Sequence, residues 1–219
     1  MSEPGDLLEL SEPVRARFAD RHGAREEAIQ RSREAIRAAA NAIRAIHRGE
    51  DEVAVGLLRE SRERLDDAVA ALETYPEVLH AGFVGDAAKE YAEAVLTRAA
   101  VAGQRLPGPE DVGVDDASWL HGLAETVGEL RRACLDRVRA GDLASAEAAL
   151  GQMQEIHSVL VTIDAPDGLT RGLRRATDAS RAIIERTRGD VTTAAGQRAL
   201  RQALDAHREA IERMLGEQP

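Results

Sequence analysis

Four carboxylates in this chain stand at spacings that could hold a hard metal ion. Glu90 and Glu93 are three residues apart, and Glu125 and Glu129 are four apart. On helices, both spacings put the pair on one face. At about 100° per residue, Asp86, Glu90, Glu93 and Thr97 fall together, turned away from Val84, Tyr91 and Val95. Glu125 and Glu129 share a face with Ser118, Gly122 and Ala133, opposite a stripe of Leu120, Leu123, Val127, Leu130 and Cys134. Four carboxylates converging from two helices, without sulfur or imidazole, are ligands for Mg²⁺ or Mn²⁺. Such a centre suits phosphodiester hydrolysis, where a divalent ion offsets phosphate charge, acidifies a water and stabilises the leaving oxygen. The same periodicity also fits polar residues facing solvent on amphipathic helices, and spacing alone does not separate the two.

Arginines stand close to these acids in the sequence. Arg31, Arg33 and Arg37 cluster on one predicted helix, and Arg131 and Arg132 follow Glu129 almost directly. Lys89 is the only lysine, so 28 of the 29 basic side chains are arginine. Guanidinium groups grip phosphates in a bidentate manner and keep their charge. A net charge of −10 predicts long-range repulsion from nucleic acid unless the basic groups share a surface. Intrahelical pairing, such as Glu129 with Arg132, is the alternative use of these side chains.

Other chemistries find little support. Cys134 lies on an apolar stripe, where an inert buried thiol is expected, and a single cysteine permits no internal disulfide. No glycine-flanked serine, Walker loop or dinucleotide fingerprint occurs. Glu77 and His80 form one Glu-x-x-His pair, half of what a di-iron bundle needs, and no second copy follows.

The elements that must position these groups are helices. The 219 residues are 43% hydrophobic and 31% charged, with forty alanines and only five aromatics. That composition favours helix and disfavours sheet. Ser11 and Pro13 predict a short helix that Gly23 ends. From Arg25 to Arg48, apolar positions at Ile29, Ser32, Ile36, Ala39, Ile43 and Ile46 keep a 3–4 spacing, a bundle seam. Further helices are expected over 51–73, 77–102 with kinks at Gly82 and Gly85, 115–141, 142–164, 170–188 and 191–215. Gly189 and Asp190 are expected to separate the last two. The expected organisation is an N-terminal segment, 1–23, before one all-α domain, 24–219, a single bundle of about seven helices. No signal segment opens the chain and no apolar run reaches about 18 residues, so a soluble cytoplasmic protein with no membrane partner is expected.

Four segments, in order, resemble the translin/TRAX family in its archaeal form. They are Ser32 to Arg37 running into Ala45 to Gly49; Ala81 to Val84 leading into Glu90 to Ala94; Trp119 to Arg132 with Gly141 and Asp142; and Asp164 to Leu169 with Gly172 to Arg175. The resemblance implies seven-helix subunits assembled into hollow octamers that enclose single-stranded nucleic acid. It also implies two activities: translin binds RNA and single-stranded DNA with little hydrolysis, while TRAX is a Mg²⁺-dependent endoribonuclease. The Glu-x-x-Glu motif of TRAX matches Glu90 and Glu93, and its Asp-x-x-x-Glu motif matches Glu125 and Glu129. Glu125 replaces that aspartate, and a misplacement of about 1 Å can cost about 100-fold in rate. Weak activity is therefore expected.

The resulting expectation is a Mg²⁺- or Mn²⁺-dependent endoribonuclease that cuts single-stranded RNA, and acts on single-stranded DNA too. Glu90, Glu93, Glu125 and Glu129 are its metal ligands and catalytic acids, and Arg33, Arg37, Arg131 and Arg132 its nucleic-acid contacts. The alternative is a non-catalytic single-strand-binding protein. Alanine-rich second faces, and a stripe of Leu200, Leu204, Ile211 and Leu215, point to a homo-oligomer. The resemblance makes that an octamer near 190 kDa, eight times 23.6 kDa.

Overall fold

The protein is described by a computed structural model, which places residues 4–216 and the side chains of 7–214. Among the described residues every regular element is helical. In order they are α1 (Pro4–Arg48), α2 (Asp51–Ala70), α3 (Pro76–Leu79), α4 (Phe83–Val101), α5 (Pro109–Val112), α6 (Asp116–Arg139), α7 (Leu143–Val161), α8 (Asp167–Thr170) and α9 (Leu173–Gly216). Six are long, and α3, α5 and α8 are single turns. No described helix is long and apolar enough to cross a membrane. The chain divides into two compact units, Met1–Leu123 and Ala124–Pro219, with the boundary inside the unbroken helix α6.

In the N-terminal unit, α1, α2 and α4 pack through small side chains. Gly49, at φ 75°, turns the chain so that α2 returns along α1. Ala28 and Ala35 of α1 cluster with Leu65, Ala68 and Leu72 of α2 and with Val84, Ala87 and Ala88 of α4. Farther along, Ala39, Ala42 and Ile43 meet Ala94, and Ala45 and Ile46 meet Val101. This progression shows α1 and α4 running in the same direction. Buried Ser61 donates to the Ala35 carbonyl at 2.9 Å, a polar tie between α2 and α1. Of the expected α1 seam, Ser32, Ala39, Ile43 and Ile46 are buried, while Ile29 and Ile36 are half-buried and Ala28, Ala35 and Ala42 beside them are fully buried. Alanine allows the closest helix approach, so the alanine edge goes inward.

In the C-terminal unit, α7 packs on α9. Ala146, Ala149, Leu150, Met153, Ile156 and Leu160 are buried on α7, and Leu173, Thr177, Ser180, Ile184, Thr187 and Val191 on α9. The α9 residues hold a 4–3–4–3–4 spacing, a continuous seam. Asp142 caps α7 by accepting from the Ser145 N–H at 3.1 Å, as its position suggested.

Three expected helix boundaries are corrected. Residues 11–23 do not form a separate short helix, because α1 is continuous from Pro4 to Arg48 with Pro13 inside it. Ser11 bonds back to the Leu8 carbonyl at 2.8 Å instead of opening a helix. Gly189 does not end a helix either, because α9 runs through it. A helical glycine costs about 1 kcal/mol relative to alanine, too little to break a seam that continues through Thr187 to Val191. Conversely, 77–102 is not one kinked helix: it stops at Leu79 and restarts at Phe83, where Gly82 takes φ 102°. Gly85 lies inside α4.

Beyond Ala195 every side chain of α9 through Met214 is exposed except half-buried Ala210. Leu200, Leu204, Ile211 and Met214 form an apolar stripe there. Val191 and Leu200 are nine residues apart, about 180° around the helix. The distal stripe therefore lies on the face opposite the α9 seam. The side chain of Leu215 lies outside the described residues.

Candidate metal centre and nucleic-acid interface

Glu90 and Glu93 project from the middle of α4, where Ala87, Ala88, Ala92 and Ala94 hold the helix in the core. Their partner element is α6. Asp115 accepts from the Ser118 N–H at 3.1 Å and caps α6. The Ser118 hydroxyl lies 2.7 Å from the Asp115 carboxylate and 3.3 Å from the Gly85 carbonyl of α4. Trp119 donates through Nε1 to the Pro107 carbonyl at 3.0 Å, pinning the preceding loop. One turn later Gly122 fits against α4 so closely that a Cβ there would stand 2.8 Å from both the Glu93 nitrogen and the Ala92 Cβ. The missing side chain is what allows the two helices to approach.

Glu125 follows Gly122 by three residues on α6. One carboxylate oxygen from each of Glu90, Glu93 and Glu125 lies within 4.8 Å of the others. Glu93 is 8% exposed, and Glu90 and Glu125 are half-buried. An all-oxygen donor set of this kind fits Mg²⁺ or Mn²⁺ and suits softer metals poorly. Glu129, one turn farther along α6, is half-buried and lies outside that group of three. Asp86 is exposed at the start of α4.

Sequence reasoning missed two neighbours. Lys89 Nζ stands 3.0 Å from Glu90 Oε1, so the one lysine of the chain is paired with a member of the acidic group. Its rarity was the only signal. Gly122 appeared on the right helix face, but its packing role depends on α4, which spacing within α6 cannot reveal.

The four expected arginine contacts separate into two kinds. Arg33 and Arg37 are exposed on α1, four residues apart, and Arg132 is exposed on α6. Arg131 is held within the C-terminal unit, donating to Thr187 Oγ1 at 2.9 Å and pairing with Asp190 at 2.9 Å. Arg31 pairs with Glu34 at 3.2 Å. A hydrogen bond from Gln30 and another from Arg31 lower the Glu34 carboxyl below its ordinary range.

No family model matches the chain. An uncharacterized protein of Methanocaldococcus jannaschii is 30% identical over 178 residues, covering 80% of this chain and 78% of that protein. The crystal structure of AfC3PO superposes with a TM-score of 0.77 at 35% identity, covering 86% of this chain and 98% of that one. AfC3PO in complex with duplex RNA gives 0.76 at the same identity, covering 86% and 97%. The apo form of NeC3PO, at 20% identity and a TM-score of 0.73 over 89% and 98% of the two chains, shares the fold. At 35% identity over nearly the whole of AfC3PO, and with the same all-helical architecture, this chain belongs to the translin-like family of C3PO proteins.

Proposed function

We propose that this chain is a divalent-metal-dependent endoribonuclease that binds RNA and works as a homo-oligomer. The observation that carries the reading is the group of Glu90, Glu93 and Glu125, with carboxylate oxygens within 4.8 Å of one another on α4 and α6. These three would hold Mg²⁺ or Mn²⁺, with Glu129 the next acid along α6. When bound, such an ion supplies positive charge against a phosphodiester and lowers the pKa of water. The protein's own part is to orient. Gly122 sets the spacing between the two helices, and buried Glu93 keeps one ligand fixed. Arg33, Arg37 and Arg132 offer guanidinium groups to backbone phosphates. Arg131, engaged with Thr187 and Asp190, serves the fold of its own unit. AfC3PO has been seen with duplex RNA, which makes duplex as well as single-stranded RNA a ligand to test here, alongside single-stranded DNA. The distal stripe of α9 supplies the surface for assembly, since an uncovered apolar face of that length is rare on monomers. The octamer is the assembly implied by the family resemblance.

Labelled single-stranded and duplex RNA, incubated with Mg²⁺ or Mn²⁺, should be cut, and chelator should stop the cutting. Glu93→Gln should leave binding and remove cleavage. A second reading, RNA binding without hydrolysis, is favoured by the Lys89–Glu90 ion pair, which competes with a cation for one ligand. Stable binding with no cutting in any divalent ion selects it. Light scattering tests the assembly, and a monomer at both low and high salt would reject it.

A further inference from the structure

Thr97 lies on α4 one turn beyond Glu93, fully buried. Its hydroxyl oxygen is one of two buried hydroxyls among the described residues without a hydrogen-bond partner, the other being Ser32. That condition is unusual for a helical threonine, whose Oγ1 normally bonds the carbonyl four residues back. Elsewhere in this chain that bond is made: Thr177 to Leu173 at 3.1 Å, Thr187 to Ile183 at 2.8 Å and Thr193 to Gly189 at 2.9 Å. Thr97 sits in a regular stretch of α4 and does not make it.

Its azimuth places Thr97 on the face of α4 that carries the two acids. Taking Glu90 as zero and about 100° per residue, Thr97 falls near −20° and Glu93 near −60°, so Thr97 lies between the two acids. Its Cα is about 6 Å along the axis from that of Glu93. Helical side chains lean toward the N-terminus, and for Thr97 that direction is toward the turn that carries Glu93. A buried donor left unpaired near two acids is costly, and a partner at the centre would remove that cost.

We propose that Thr97 is a positioning residue of the acidic centre, its hydroxyl hydrogen-bonding a water of the divalent ion's hydration shell beside Glu90 and Glu93. This rests on the metal-centre reading and adds to it a group that no carboxylate pattern includes. The role matches that of outer-shell partners, which fix ligand geometry and commonly carry 10- to 100-fold in metal affinity.

The experiment is a Mn²⁺ titration by calorimetry together with thermal melting, on the full chain as wild type, Thr97→Val and Thr97→Ser. In chelator, Thr97→Val should melt at or above wild type, because a methyl replaces a hydroxyl that has no partner in the fold. With Mn²⁺, its affinity should fall about tenfold and its metal-induced rise in Tm should shrink, while Thr97→Ser should behave as wild type. If Thr97→Val melts lower than wild type in chelator, the hydroxyl has a structural partner and the proposal fails. If wild type and Thr97→Val bind Mn²⁺ equally, Thr97 does not serve the centre. If wild type itself shows no Mn²⁺ response, the metal centre falls, and the role of Thr97 with it.

Discussion

Gly122 of α6 is seated against the Glu93 backbone of α4, with room for a hydrogen and none for a methyl group. The obstructing atoms include backbone, which cannot rotate aside as a side-chain tip would. Gly122→Ala must therefore push the helices apart, and overpacking of this kind costs about 1–3 kcal/mol. The same displacement moves Glu125 relative to Glu90 and Glu93. Cleavage should drop by about 100-fold if the shift approaches 1 Å. Thermal melting and single-turnover rates on RNA measure the two effects separately.

The acids should not contribute equally. Glu93, the most buried of the three grouped carboxylates, should be the least replaceable. Glu93→Gln is expected to reduce metal-dependent cleavage by at least about 100-fold, and Glu129→Gln by less, because Glu129 lies outside the group. Rates across a Mg²⁺ series check this, since a weakened ligand set can be driven partly back by excess metal. Equal losses would place Glu129 in the set on the same footing.

Lys89 offers a test in the opposite direction. Its ammonium, 3.0 Å from Glu90, occupies charge that a metal would otherwise use. A partly exposed pair of this kind is worth about 0.2–1 kcal/mol. Lys89→Met should therefore tighten Mn²⁺ binding by about one and a half to fivefold, read by titration. Looser binding would mean that Lys89 holds Glu90 in position rather than competing for it.

Cys134 should be chemically silent in the folded protein. Burial pushes its thiol above the ordinary value, with Arg137 and Arg131 opposing. Its sulfur also donates to the Ala146 carbonyl at 3.3 Å. A thiol that titrates higher in the folded chain stabilises the fold fully below the ordinary thiol value of about 8.5. That contribution is lost as pH rises through the folded value. At pH 8 a thiol reagent should react slowly with native protein and rapidly once denaturant is added. Fast labelling without denaturant would contradict the buried placement.

What could be read from the sequence was whatever lies within one helix. Glu90 with Glu93, and the placement of Thr97 beside them, follow from spacing along α4 alone. The fit of Gly122 depends on a second helix and has no local signature. The 3–4 spacing finds the buried Ser32, Ala39, Ile43 and Ile46 of α1 but also picks Ile29 and Ile36, which are only half-buried. Ala28, Ala35 and Ala42 are fully buried as well, because small side chains allow close helix approach, and spacing along α1 does not show where α2 and α4 come nearest. Gly23 and Gly189 read as stops, yet a helical glycine costs less than a continuous packed seam returns, whereas Gly82, at φ 102°, stands between α3 and α4 as the residue that opens α4.

The two faces of α9 give its middle an unusual kind of information. Residues 192–199 hold Val191 and Leu200 about two and a half turns apart, so their number matters even where their identities do not. Removing two of them would leave the stripes seven residues apart and bring both to the same side. What sets the relation of the two faces in this stretch is its length rather than the identity of its residues. The segment acts as a spacer that is counted rather than read, and a single insertion or deletion there would disrupt the far stripe without altering one of its residues.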